Sequence, residues 1–280
     1  MAAETNMRDV TFSAPAAKSD RRSAHMGVSP GKIISAVLLL VIFVVWEMSV
    51  RAGLMPPFLL PAPSRLLVQF GNDVTSPAVL REMLVTITEI ACGFAAGAIV
   101  GIALGAVIAL VPMIEEIVWP YIITLQTIPK VAVAPLLIIW FGFGIESKIL
   151  IVALICFFPI LVNAVAGFKS TDSRQVLLME SMDATKWQIF RTVRLPNAVP
   201  FLIAGFQIAV VLAVIGAVIG EFLGASAGLG ALLVIRQANM DVTGVFSVLV
   251  MLSIIGLSMN LGVGLLSRKV AFWSDTSVKL

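Results

Sequence analysis

Few residues able to do chemistry lie inside the apolar stretches of this sequence, and most of those are uncharged. Glu47, Glu89, Gln126, Asn163, Gln207 and Asn260 stand within long apolar runs, with Lys130 and Glu221 near run ends. Polar groups in hydrocarbon are costly, so each is a candidate for function. Hydrolysis there would want paired aspartates, a Ser–His pair or zinc ligands. The single histidine, His25, lies in the polar N-terminal stretch, and Cys92 and Cys156 lie far apart in apolar runs. Asp73, Asp172, Asp183 and Asp241 all fall outside the middle of any run. The chain is therefore expected to be no enzyme, with no catalytic residue, no metal and no cofactor of its own.

Gln126, Asn163 and Gln207 are the deepest of the polar set. They line a path for a small polar solute, or they hydrogen-bond between helices; both readings stand open at this level. Glu47 and Glu221 fall near the outer interface, where a carboxylate costs little, and Glu89, one turn into its run, reads equally as interfacial. No dense row of acidic residues appears, which argues against proton or sodium coupling. Nor is there a nucleotide-binding loop. The stretch from Gly27 to Lys32 is one residue short of that motif, lacks its Ser/Thr, and precedes an apolar run instead of following a strand. A transporter with neither an ion relay nor an ATP site borrows its energy from a partner. The alternative is an ion-coupled secondary transporter, which would want a midplane ion site and repeated halves.

These residues must be positioned by helices. The 280 residues are 59% hydrophobic and 12% charged, half the charge of an ordinary soluble domain. Runs at 32–50, 83–110, 113–128, 147–168, 198–220 and 245–266 are apolar enough to span a bilayer, so the expected fold is all-α and polytopic, with about six transmembrane helices. After the third run, Pro129 and Pro135 predict a short broken helix buried in protein. Glycines four apart (Gly93, Gly97, Gly101, Gly105 and again Gly216, Gly220, Gly224, Gly228) predict close helix packing. Residues 1–30 read as a disordered cytoplasmic tail, 31–82 as the first span and an external amphipathic linker, 83–270 as the core, and 271–280 as a cytoplasmic tail. Thirteen of the 19 Lys and Arg fall on the side holding both termini and the 169–196 loop. That excess places both termini in the cytoplasm. The net charge of +3 is too small and dispersed for nucleic acid.

The 169–196 loop is the longest connection on that side. Thr171, Asp172 or Ser173 can cap a helix over 175–182; Asp183 can end it or cap a second over 184–193, which Leu195 and Pro196 stop. The product is a helix–turn–helix that is either a solvated loop or a docking surface, the latter favoured by Met179, Met182 and Trp187.

Here the sequence resembles the permease subunit of binding-protein-dependent ABC importers of type I fold. More narrowly, it looks like the branch handling nitrate, sulfonates and taurine, bicarbonate, and thiamine-precursor pyrimidines or riboflavin. The resemblance rests on Leu60-Pro61-Ala62-Pro63-Ser64, on the run from Gln126 to Ala132 with Lys130 inside it, and on Trp140 to Gly144. It continues through Trp187 to Phe190, Arg194-Leu195-Pro196 and Gly220 to Gly230. It implies a coupling helix at about 172–194, with Glu180, Ser181, Met182, Asp183, Ala184, Thr185, Lys186 and Trp187 contacting a cytoplasmic ATPase. It also implies two ATPase subunits that hold ATP and Mg, a second copy of the permease, and an extracytoplasmic solute-binding protein, all at a bacterial plasma membrane. In the family pattern a Glu, two alanines and a Gly would stand at Leu177, Leu178, Met179 and Asp183; all four are replaced. The stretch from Val193 to Pro196 and that from Gly216 to Ala225 lean towards the pyrimidine and riboflavin members.

Overall fold

The computed structural model describes residues 30–56 and 58–271. The tails expected over 1–30 and 271–280 fall outside these residues, except at Pro30 and Ala271.

All described elements are helical: α1 Pro30–Arg51, α2 Pro63–Thr75, α3 Pro77–Leu110, α4 Pro112–Thr127, α5 Lys130–Phe141, α6 Ile145–Lys169, α7 Ser173–Ser181, α8 Lys186–Ile189, α9 Leu195–Phe222, α10 Leu229–Ala238 and α11 Val242–Val270. Proline opens α2, α3 and α4 at the first turn, where its missing N–H would have had no partner and its fixed φ suits a helix. Among the described residues, five helices are long and apolar enough to cross a membrane, and α4 with α5, bent by 91°, counts as a sixth if the pair is one span.

Residues 33–45 of α1 form a unit of their own with exposed apolar side chains. The second unit begins at Trp46. Its centre is α6, packed between α3 and α9. The glycine row of α3 explains the approach. A Cβ on Gly93 would lie 2.5 Å from the Val152 Cβ, on Gly97 2.8 Å from the Ala153 carbonyl, and on Gly105 2.6 Å from the Ala164 Cβ. Without a hydrophobic drive between helices in lipid, such contact is what holds them together. The second row divides. Gly216 and Gly220 meet α6, whereas Gly224 and Gly228 lie beyond the end of α9 in a loop, at φ +114° and +112°, where the backbone requires glycine and, at Gly228, a Cβ would also collide with the Glu221 carboxylate.

Two expectations about prolines are corrected. Pro135 lies inside α5, and the break is at Ile128 and Pro129. That short helix is also not enclosed: Ala134 and Ile138 are buried, while Leu136, Ile139, Trp140 and Phe141 are exposed on this chain. Pro196 does not stop the preceding helix either. A π-helical turn, Phe190–Arg194, carries α8 into α9, giving one helical rod Lys186–Phe222. The widened turn lets the Leu195 N–H reach the Phe190 carbonyl, accommodating the N–H that Pro196 lacks.

Candidate functional site

The eight residues from Glu180 to Trp187 form the turn between α7 and α8. Asp172 caps α7, its carboxylate accepting from the Arg174 N–H at 2.9 Å. At the other end, the Asp183 N–H donates to the Glu180 carbonyl at 3.0 Å and the Ala184 N–H to the Met179 carbonyl at 3.0 Å. That is a Schellman closure, and Asp183 occupies its left-handed position at φ 59°. Asp183 therefore ends α7 but does not cap α8. Thr185 does so: its hydroxyl accepts from the Gln188 N–H at 3.3 Å while the Gln188 side chain accepts from the Thr185 N–H at 2.7 Å.

These closures leave apolar side chains facing outward. Leu177, Leu178, Met182 and Trp187 are each about two-thirds exposed. Met179 is half-buried, so it contributes less to that surface than its sequence position promised. It borders a groove of about 520 Å³ between α7 and the start of α9, with Leu178, Thr192, Val193 and Pro196 among its walls. Trp187 stacks on Phe190 at 5.6 Å between ring centroids, and Phe190 leans on buried Phe168 of α6 at 5.5 Å. The exposed turn is thus joined by aromatic contacts to the central helix.

The three deep amides are only partly brought together. Asn163 donates to the Pro159 carbonyl of its own helix at 2.8 Å and packs against Gly205 of α9, two residues from half-buried Gln207. Gln126 is exposed near the end of α4, and among the described residues no hydrogen bond joins it to the other two. Its carbonyl accepts from Lys130, whose ammonium also lies 4.9 Å from the Phe158 ring centroid.

The largest departure from expectation concerns charge. Glu221 and Glu89 are fully buried, and Lys148, the second residue of the 147–168 run, is buried as well. The Lys148 ammonium lies 3.2 Å from the Glu89 carboxylate. Glu221 accepts from the Thr86 hydroxyl at 2.6 Å and from the Gly230 N–H at 2.6 Å; Thr86 accepts in turn from the Leu229 N–H at 2.8 Å, and Glu82 from the Gly228 N–H at 2.6 Å. The N-terminus of α10 is thereby fastened to α3 and α9 by carboxylates, the charge its dipole favours. Opposite charges inside separate apolar runs were the available signal, since such groups must pair.

The far end of α10 is fastened as well. Arg236 donates two hydrogen bonds of 2.6 Å to Asp73 of α2, which also accepts from Ser247 of α11 at 2.5 Å and Gln69 at 3.0 Å. Burial pushes the Asp73 carboxyl up, but the bonds from Arg236 and Ser247 outweigh it and hold the group below its ordinary range. The α2 N-terminus is tied to the end of α1, where Glu47 accepts from the Ser64 N–H at 3.0 Å and hydroxyl at 2.8 Å and from Arg51 at 2.6 Å.

Residues 97–272 match the family described as binding-protein-dependent transport system inner membrane component. The formylaminopyrimidine transport permease of Halalkalibacterium halodurans is 36% identical over 221 residues, covering 79% of this chain and 88% of that protein. The riboflavin transport system permease of Chloroflexus aurantiacus is 35% identical over 237 residues, covering 85% and 88%. Among solved structures, an inward-facing MetNI methionine ABC transporter has a chain that superposes with a TM-score of 0.61 at 20% identity, over 69% of this chain and 96% of that one. The glycine-packed helices, the exposed helix–turn–helix and these matches together place the chain in the binding-protein-dependent transport family, as the membrane-spanning permease of an ABC importer for small solutes.

Proposed function

We propose that this permease pairs with a second copy of itself and carries a nitrogen-ring solute of pyrimidine or flavin type. The solute is handed over by an extracytoplasmic binding protein, and transport is driven by two ATPase subunits that hold ATP and Mg. Residues 83–270 form the working core, and both termini and the α7–α8 turn face the cytoplasm of a bacterial cell. The higher identity to the formylaminopyrimidine and riboflavin permeases than to the taurine permease of Escherichia coli, at 29%, supports the cargo class. Gln126, Asn163 and Gln207 line the path, with Asn163 and Gln207 near the α6–α9 contact and Gln126 on a face open to the second copy.

The observation that carries the reading is the α7–α8 turn. Its backbone is fully closed upon itself while Met182 and Trp187 are held outward, an arrangement that costs apolar exposure and suits a partner's groove. The Trp187–Phe190–Phe168 contacts supply a route from that groove to α6.

The tagged chain, purified in gentle detergent from its native membrane, is expected to bring down an ATPase subunit in near-equal amount. Trp187→Ala with Met182→Asp is expected to lower that recovery at least ~10-fold, the scale of one interface hot spot. A clean oligomer without ATPase would sink the coupling assignment. Mass spectrometry of the solute in a co-captured binding protein tests the cargo separately, and a sulfonate there would overturn the ring-solute reading alone. Alanine at Gln126, Asn163 and Gln207 is expected to change uptake or substrate preference; unchanged values would remove them from the path.

A further inference from the structure

Helix α2 is apolar on part of its outer side as well as on its packed side. Its packed side carries Leu66, Gln69, Phe70 and Asp73; Phe70 rests on the core, and Asp73 is 3% exposed and engaged by Arg236, Ser247 and Gln69. Further apolar residues face away from the protein, with Leu67 at 72% and Val68 at 66% exposure and Val74 also exposed. A solvated helix packed on a protein carries polar residues on that outer side.

The outward half is itself divided. At about 100° per residue, Leu67, Gly71 and Val74 fall on one flank and Arg65 and Asn72 on the other. Ser64, Val68 and Thr75 lie on the crest between. The two hydroxyls on that crest have no need of water, because Ser64 donates to Glu47 at 2.8 Å and Thr75 donates to the Gly71 and Asn72 carbonyls at 3.2 and 3.0 Å. An apolar flank beside a polar one is the pattern of a helix lying in the plane of a membrane interface.

Its neighbours put it at the right level. α2 packs on α3 and α11, both long enough to span. α3, at 34 residues, rises about 51 Å against a hydrocarbon core of about 30 Å, so its first turns project past the acyl chains. Ser247, which Asp73 holds, lies two residues before exposed Leu249 of α11, and Leu84 of α3 is exposed two turns into that helix. Lipid-facing side chains therefore begin where α2 is docked.

We propose that α2 is an interfacial membrane helix whose Leu67, Val68, Gly71 and Val74 rest on lipid at the boundary of headgroups and acyl chains, with Arg65 and Asn72 turned to headgroups and water. Fastened to α1 through Glu47 and to α10 through Asp73, it sets the height of α10 against the membrane plane. The proposal rests on membership of a membrane-spanning family and not on the cargo or coupling assignments.

Spin labels placed by Leu67→Cys, Val74→Cys and Asn72→Cys test it. The labels go into full-length protein carrying Cys92→Ser, held in nanodiscs of phosphatidylethanolamine and phosphatidylglycerol. The ratio of collision with oxygen to collision with a water-soluble nickel chelate is expected to be at least ~3-fold higher at Leu67 and Val74 than at Asn72. Equal nickel access at all three sites would overturn the proposal in favour of an aqueous face that meets the binding protein. Exclusion of both reagents at Leu67 and Val74 would overturn it in favour of a second copy covering the helix. The unsubstituted chain gives an independent answer. After irradiation with a diazirine-bearing phospholipid, adducts within residues 64–75 are expected, and adducts on α3 and α11 with none on α2 would refute the assignment.

Discussion

The two ends of α6 are held in different ways. At the α10 end, Lys148 is buried beside Glu89, and a chain of carboxylate and hydroxyl contacts fixes the loop and the first turn of α10. About 30 Å along the same helix, at the α7–α8 end, the ion pair between Lys169 and Glu115 is exposed, and the joint is made of stacked rings. An exposed pair adds little to stability, and rings can slide against one another. A buried pair tolerates the loss of neither partner. Under the proposed coupling role, the α10 end is the fixed frame of the permease and the α7–α8 end the adjustable one that would receive the ATPase's motion.

The hardest blow to that contrast is Lys148→Ala. It leaves Glu89 with no cation beside a second buried carboxylate, Glu221, at an expected cost of about 3–5 kcal/mol. The measurement is the melting temperature and folded yield in detergent. The double variant Lys148→Met, Glu89→Leu removes charge from both sides and is expected to recover most of the loss. A single variant that melts like the parent would mean that the frame is held by helix packing alone.

Next in size is Asp73→Asn, which weakens the bonds to Arg236 at the far end of α10, at about 1.5–3 kcal/mol for hydrogen bonds between charged groups. The pH dependence has a definite sign. The folded-state value of Asp73 lies below its ordinary 3.8, so its contribution is complete above that value and is lost as the pH falls through the lower, folded value. Melting of the parent is expected to fall on acidification below pH 3.8, and the Asn variant is expected to lack that part of the fall. Trp187→Ala works at the opposite end. With its ring two-thirds exposed, it is expected to change melting by less than about 1 kcal/mol while ATPase capture drops. A large loss of stability there would make the ring part of the frame.

Much of the fold is legible in the sequence because run length and proline position are local properties. Each of the five long helices contains the run expected for it, and α3 simply begins earlier, at Pro77, since proline opens a helix before hydropathy rises. The α3 glycine spacing also fixes a face, and α6 lies on it. Hydropathy does not carry depth or rotation. A lone Glu near the end of a run looks interfacial, and only the arrival of Thr86 across 135 positions makes Glu221 a buried junction. The same holds for Asp73 and Arg236, 163 positions apart. The family pattern marks the turn at Asp183 but not the cap: Thr185 and Gln188 accept from each other's backbone N–H, while Asp183 stands in a left-handed conformation at the end of α7.

The smallest expected effect belongs to Asp183→Gly, and it tests whether the adjustable end has a specific contact at its apex. A non-glycine residue at φ 59° costs about 1 kcal/mol, with Asp among the cheapest to place there. Glycine would remove that cost and any local contact of the carboxylate, but α8 would keep its cap, because Thr185 and Gln188 supply it. The Schellman bonds run through backbone atoms and survive the change. Assembly should therefore persist, melting should move up by no more than about 1 kcal/mol, and ATPase stimulation should change less than about threefold. Asp183→Val is the counterpart, since a β-branched side chain at positive φ is a genuine outlier that should open the turn. If glycine abolished complex formation while valine and glycine melted alike, the carboxylate would be gripping the ATPase directly, and the apex would belong to recognition and not to chain geometry.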